Sequence, residues 1–302
     1  MHPLAEEVLA YREVEMQRRQ AQALLEAIGA DGRINASFNA LGTQSGRFAS
    51  TNPNLQQVKR GEIRSAFVAA PGNRLIVADY SQIELRAAAH LSGDEAMLGA
   101  YQDGKDLHVQ TAAVLLNKTP ETATKDDRQI AKSANFGLIY GQQARGLKVY
   151  ARTKYGVTLT VEQATAIRRR FFSHYKGLAA WHRKAHALSS CVKEGRTQLG
   201  RRRLPAPGAS DWDRFQLLVN FRVQGSCADG LKLAMLRLAN ELPASAQLIA
   251  TVHDELIIEC PEIAAGEVKT LTVLVMTEEM AKVFPGLPIV VEAKICTHWG
   301  EK

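Results

Sequence analysis

Two aspartates stand where a carboxylate is costly to keep. Asp79 closes the apolar run Leu75, Ile76, Val77, Ala78, and Asp254 follows a second run, residues 248–252, with His253 before it and Glu255 after it. Unbroken apolar runs rich in β-branched residues read as strands buried on both faces. A carboxylate carried to the edge of such a core calls for a cation, because unpaired it is expensive or neutralises itself. If the two strands lie side by side, Asp79 and Asp254 form a two-carboxylate site for hard divalent ions such as Mg²⁺. Two such metals can clamp an in-line phosphoryl displacement. Either half alone also fits a turn residue or a helix N-cap.

A second group has helical spacing. In residues 126–141, Arg128, Lys132, Phe136 and Tyr140 recur every fourth position behind Asp126 and Asp127. Four residues advance about 400°, so each step drifts ~40° and the set forms one gently spiralling stripe. The acidic pair opposes the helix dipole at the start. The cations suit phosphate oxygens, and the aromatics suit sugar and base faces. An ordinary amphipathic helix with Phe136 and Tyr140 in the core has the same spacing.

The elements that must hold these residues can be read around them. Residues 4–28 have helical spacing, with Leu4, Val8 and Tyr11 on one stripe that Leu24, Leu25 and Ile28 close and with charges that fit a solvated face, and a turn at 30–33 leads to alternating Ile34, Ala36 and Phe38. A polar loop follows, with Thr43, Gly46 and Arg47, whose donors suit a sugar-phosphate backbone or a plain surface loop. Helices are expected over 82–91, from Glu95, from Asp106-Leu107-His108 to Leu116, over 161–188, over 211–242 and over 264–283, with a last strand at 288–295. The 161–188 stretch carries His182 and His186 at zinc-compatible spacing, yet without the glutamate of a metalloprotease helix. Arg201, Arg202 and Arg203 form a basic turn.

Composition narrows the classes. The 302 residues allow one large domain or about two. A net charge of +7 is compatible with a polyanionic partner without requiring one. Cys191, Cys227, Cys260 and Cys296 are scattered, with no C-x-x-C pair, so reduced thiols are expected rather than a zinc ribbon. No apolar run reaches about 18 residues, so no membrane partner is expected. The first residues lack a secretory leader's basic start and apolar core, so a cytoplasmic location is expected.

Five segments together resemble the polymerase region of family A DNA polymerases, the bacterial DNA polymerase I type. Asp79-Tyr80-Ser81-Gln82-Ile83-Glu84-Leu85-Arg86 is similar to the first palm motif. Arg128-x-x-x-Lys132-x-x-x-Phe136-Gly137-x-x-Tyr140-Gly141 resembles the fingers motif, and Val252-His253-Asp254-Glu255 the second palm motif. Thr43-x-x-Gly46-Arg47 and Asn220-x-x-Val223-Gln224-Gly225 resemble two primer–template segments. Their order along nearly the whole chain is what makes the resemblance specific. Ser133, Ala134, Gln142 and Arg145 depart from the commoner fingers residues, but none removes a charge the chemistry needs.

The resemblance implies an α+β right hand with an antiparallel palm sheet. Residues 1–36 would be a thumb-base remnant, 37–86 and 223–302 the palm, and 87–222 the fingers. It implies a template-directed DNA polymerase with two Mg²⁺ ions held by Asp79, Asp254 and the Tyr80 carbonyl. Arg128, Lys132 and His108 would meet the triphosphate of a dNTP. Phe136, Tyr140, Glu84 and Gln82 would complete that pocket, with Glu84 in the place of a 2′-hydroxyl. Thr43, Arg47, Asn220, Gln224, His253 and Tyr140 would contact primer-template DNA, and Glu255 would sit behind the metal ligands. Residues 1–40 contain no paired acidic motif of a proofreading exonuclease and no 5′-nuclease module, and the helical tip of the family's thumb has no counterpart among the segments that carry the resemblance. A distributive enzyme is therefore expected, with room for a separate exonuclease or processivity subunit; a compact enzyme and a fragment of a longer one both fit. A single-subunit RNA polymerase and a non-catalytic DNA-binding remnant are the alternatives. Glu84 argues against the first, and retention of Asp79, Asp254, Arg128 and Lys132 against the second.

Overall fold

The apolar run ending in Asp79 is buried on both faces: Ile76, Val77 and Ala78 are fully buried and Leu75 nearly so. The structure, a computed structural model, describes residues 3–58 and 61–302. In chain order its elements are α1 (Pro3–Glu26), β1 (Ser37–Asn39), β2 (Ala49–Thr51), α2 (Glu62–Ser65), β3 (Asn73–Tyr80), α3 (Ile83–Ser92), α4 (Glu95–Gln102) and α5 (Leu107–Leu116). There follow α6 (Lys125–Leu138), α7 (Ala144–Tyr155), α8 (Val161–His174), α9 (Lys176–Ser189), β4 (Gly195–Arg196), β5 (Arg202–Arg203), α10 (Asp211–Leu218) and α11 (Asn220–Glu241). The chain closes with β6 (Gln247–Val252), β7 (Glu255–Pro261), α12 (Ala265–Val283) and β8 (Val291–Cys296).

The chain divides into two units. The first comprises Met1–Asp79, Met235–Leu274 and Glu292–Lys302. Its centre is a four-stranded sheet in the order β6-β7-β3-β8. β3 runs antiparallel to β7 from Asn73 opposite Pro261 to Asp79 opposite Glu255. Leu75 and Val77 share a core with Leu24, Val252, Ile257 and Trp299, and Ile34, Ala36 and Phe38 pack partly buried against it. The residues between β1 and β2 form the polar loop of a short hairpin. The apolar stripe of the first helix meets the core at one end only. Leu4, Val8 and Tyr11 are exposed, and it is Leu24, near the other end of α1, that reaches the core.

The second unit comprises Tyr80–Ala234 and Val275–Val291 and is mostly helical. Five of its helices start on side-chain caps: Asp94 for α4, Asp106 for α5, and reciprocal boxes Thr124 with Asp127, Thr160 with Gln163 and Ser210 with Asp213 for α6, α8 and α10. Such caps satisfy N–H groups that have no partner within the helix. Two expected helices are broken. Residues 161–188 form α8 and α9, separated at Tyr175 (φ −85°, ψ 75°). The break buries the Tyr175 ring on Phe171 and lets Asp94 accept the Leu178 N–H at 3.1 Å. Residues 211–242 form α10 and α11, separated at Val219 (φ −109°, ψ −67°), which packs with Phe215 and Ala185. Both sequences keep helical periodicity through the break, so pattern alone does not reveal it.

Candidate active site

In the first unit the β3–β7 register brings the acidic residues together. Asp79 lies directly opposite Glu255, and Asp254 is one residue away in the two-residue connection between β6 and β7. His253 opens that connection with φ 58°, the left-handed conformation that tight hairpin turns require. His253 is exposed and Asp254 half-buried. Glu255, nearly fully buried, accepts from Trp299 Nε1 at 2.8 Å and from Arg64 Nη1 at 3.4 Å, with the Arg64 guanidinium 4.1 Å above the Trp299 ring. That carboxylate is committed to protein partners. Asp79 Oδ1 accepts from Lys302 Nζ, so a cation already sits on this oxygen. Among the described residues no group of three or more His, Cys, Asp and Glu gathers into a closed metal cage. Two carboxylates, one with an ammonium already on it, fit a hard divalent ion that takes its remaining ligands from water and substrate phosphates.

In the second unit α6 presents Arg128, Lys132 and Phe136 half-buried, while Ala131, Ala134, Asn135 and Leu138 face the core. The stripe is therefore not a core face. The helix ends at Leu138, so Tyr140 stands in the turn beyond it and not on the helix, as its spacing had suggested. Its position is fixed by other means. The Tyr140 hydroxyl donates to Glu84 Oε2, and its carbonyl accepts from Gln216 Nε2 at 2.8 Å. Gly141 follows with φ 81°, and a Cβ there would lie 2.5 Å from Phe215 Cε1. Glu84 stands in the first turn of α3, after Gln82, which adopts φ 54° and accepts from the Tyr101 hydroxyl at 3.3 Å.

His108 is buried beside this stripe, its ring centroid 5.8 Å from that of Phe136. Burial is the chief cause that pushes its pKa down to about 4; Asp106 raises it, and Arg128 and Lys132 lower it further. The ring is thus neutral near pH 7. The Asn135 amide nitrogen lies 2.8 Å from Nδ1. With that amide donating, the imidazole proton resides on Nε2. Arg128 Nε donates to Asp106 Oδ2 at 2.8 Å; burial raises the Asp106 pKa, but Arg128 and the His108 N–H outweigh it and hold it low. Lys132 Nζ lies 5.9 Å from the Tyr155 ring centroid.

The remaining sequence candidates are spread over both units. Thr43 Oγ1 donates to the Arg47 carbonyl at 3.0 Å in the β1–β2 loop of the first unit. Asn220 and Gln224 are half-buried, one turn apart at the start of α11 in the second. Tyr80 is buried, its hydroxyl donating to the Met276 carbonyl at 2.8 Å. His182 and His186 are not a metal pair: a His182 ring nitrogen lies 3.0 Å from the Ile139 carbonyl, and the His186 ring stacks on Phe215 at 4.0 Å.

The family model for DNA polymerase family A matches residues 1–301. The chain belongs to DNA polymerase family A. It is 39% identical over 274 residues to "DNA polymerase I" of Aquifex aeolicus (strain VF5), covering 89% of this chain and 46% of that protein. It is 36% identical over 318 residues to "DNA polymerase I, thermostable" of Thermus caldophilus, covering 99% of this chain and 36% of that protein. The chain thus spans less than half the length of these curated relatives. Among solved structures, the POL domain of Pol1 from M. smegmatis in complex with DNA primer-template and dNTP matches with a TM-score of 0.87 at 31% identity, covering 99% of this chain and 54% of that one. The mixed helix and antiparallel sheet is therefore the fold of a DNA polymerase I polymerase domain. No helix among the described residues is long and apolar enough to cross a membrane.

In this family A chain the residues that sequence reasoning missed are supporting ones. Asp106 is legible as a helix cap, but its bond to Arg128 spans 22 positions. Asn135 and Thr111, which orient His108 through a chain reaching the Tyr175 hydroxyl at 2.6 Å, leave no local signal. Nor does Lys302, 223 residues from the aspartate it meets.

Proposed function

We propose that this chain is a template-directed DNA polymerase, adding dNTPs to a primer 3′-hydroxyl with release of pyrophosphate. The observation that carries the reading is the β3–β7 register, which sets Asp79 opposite Glu255 and hence beside Asp254. Asp79 and Asp254, with the Tyr80 carbonyl, would hold two Mg²⁺ ions. Bound there, the metal supplies Lewis-acid activation of the 3′-hydroxyl and charge compensation on the triphosphate. Phosphoryl transfer otherwise needs positioning and electrostatic stabilisation, which fall to the protein.

Arg128 and Lys132 would bind the β/γ- and α-phosphates. Asp106 takes only Arg128 Nε, which leaves the two Nη groups for phosphate oxygens. His108, neutral and protonated on Nε2, would donate to the triphosphate. Phe136 would pack on the sugar and base. Glu84, held by the Tyr140 hydroxyl, would fill the space of a 2′-hydroxyl, with Gln82 beside it in sequence. Arg47 and Gln224 would read minor-groove acceptors common to every correct pair, which tests pair shape without reading sequence. Thr43, Asn220 and His253 would hold primer-template DNA. Glu255, bonded to Arg64 and Trp299, would brace the hairpin and not ligate metal. The solved relative is in complex with DNA primer-template and dNTP, and the same substrates are assigned here.

A Mg²⁺-dependent primer-extension assay with dNTPs and rNTPs in parallel tests this reading. Extension with dNTPs and strong rejection of rNTPs is expected. Equal use of rNTPs would make the chain an RNA polymerase, and duplex binding without extension would make it a DNA-binding remnant.

A further inference from the structure

Asp79 is half of the acidic pair, and its carboxylate is engaged by a residue for which the mechanism has no use. Lys302 Nζ donates to Asp79 Oδ1 and to the Glu292 carbonyl, the latter at 2.6 Å. The lysine side chain is only 9% exposed. Its ammonium is thus largely withdrawn from water, and these two oxygens compensate it.

The lysine is delivered by a fixed segment. Trp299 is buried, its Nε1 donating to Glu255 and its backbone N–H to the Phe67 carbonyl at 2.9 Å. Glu301 Oε1 accepts the Thr297 N–H at 2.8 Å and the His298 N–H at 3.2 Å. Gly300 lets the segment lie against α2, since a Cβ there would run into Ser65 Oγ and fall 2.9 Å from Ser65 N. The anchor is Glu255, the residue directly opposite Asp79. The same carboxylate that braces the hairpin thereby holds Lys302 toward the aspartate.

An oxygen that accepts an ammonium is the type of oxygen a hard divalent ion takes, and two cations on one carboxylate repel each other. Without metal, Lys302 offsets the charge that neighbouring carboxylates would otherwise force on each other. We propose that Lys302 is a resident counter-cation of Asp79 which the divalent metal must displace, so that it sets how much metal the site requires. The inference rests on the reading of Asp79 and Asp254 as metal ligands.

The test is Mn²⁺ binding to the whole chain without DNA or nucleotide, followed by electron paramagnetic resonance of the free ion. Wild type, Lys302→Gln, Lys302→Arg and Asp79→Asn are compared, with chemical unfolding to confirm that each is folded. Among the described residues Lys302 bonds to Asp79 and the Glu292 carbonyl and to no core side chain, so its replacement leaves the core intact. Lys302→Gln should bind Mn²⁺ about fivefold to tenfold more tightly, Lys302→Arg should stay close to wild type, and Asp79→Asn should lose most binding. Unchanged or weaker binding in Lys302→Gln, with binding lost in Asp79→Asn, overturns the counter-cation role and leaves the metal ligands standing. Wild-type binding in Asp79→Asn overturns the metal-ligand reading itself.

Discussion

The hydrogen bond from Tyr140 to Glu84 joins two residues that the proposed reaction uses for different purposes. Glu84 would exclude a 2′-hydroxyl, and Tyr140 would occupy the templating position, so on the proposed reading the bond would couple sugar selection to the state of the template. Glu84→Ala removes the carboxylate and the bond together. Ribonucleotide incorporation relative to dNTP should rise about 10- to 200-fold in competition assays, the range available to a steric gate. Unchanged discrimination would place the gate elsewhere. Phe136 is expected to act on the other side of the sugar. Phe136→Tyr should ease dideoxynucleotide acceptance, as the family resemblance implies, because its hydroxyl can stand in for the missing 3′-OH contact; equal rejection by both forms would remove Phe136 from the sugar.

At the scale of elements, the candidate site depends on where helices stop. α6 ends at Leu138, and the turn carrying Tyr140 is held against α10 by the close approach of Gly141 to Phe215 and Trp212. Gly141→Ala places a Cβ at positive φ and into the Phe215 ring, so it should destabilise the protein by about 2–4 kcal/mol. Gly146, inside α7, meets nothing closer than 3.9 Å. Gly146→Ala should therefore stabilise by about 0.5–1 kcal/mol. Denaturant midpoints of the two variants provide the comparison, and equal effects would mean that the Phe215 approach is unimportant. The same elements show how far sequence carries. The strand before Asp79, the hairpin at Asp254 and the Arg128–Lys132–Phe136 face were legible because burial and period fix them locally. The breaks at Tyr175 and Val219 were not, because each side remains a good helix and tertiary packing alone decides the interruption. Which end of the first helix reaches the core is not legible for a related reason: amphipathic spacing puts Leu4, Val8, Tyr11 and Leu24 on one stripe, and only tertiary contact decides that Leu24 is the one buried.

For the whole molecule, two buried histidines link stability to pH. Burial chiefly lowers both His108 and His182 to about 4, against an ordinary value near 6.5. Between those values the unfolded chain binds more protons than the folded one, so stability rises with pH across the window and is lost as pH falls through it. Each histidine can account for roughly 3 kcal/mol over the full window. His182→Gln should flatten the pH dependence of the denaturation midpoint between pH 4 and 6.5 while changing little above pH 7; an unchanged slope would rule His182 out as its source. The net charge of +7 and the spread of candidate DNA contacts over both units belong to this scale too, since they concern how a polyanion is met and not which bond is made.

The two aspartates at the β3–β7 end test the central claim most directly. Single-turnover primer extension in Mg²⁺ is measured for wild type, Asp79→Asn and Asp254→Asn, alongside their thermal unfolding. Each substitution should lower extension by about a hundredfold to a thousandfold, the scale lost when a transition-state electrostatic partner is removed; both proteins should still unfold cooperatively, Asp254→Asn near the wild-type temperature and Asp79→Asn below it, because the Lys302 ammonium loses its carboxylate. A folded Asp79→Asn or Asp254→Asn protein that extends primers at near wild-type rate in Mg²⁺ would contradict it.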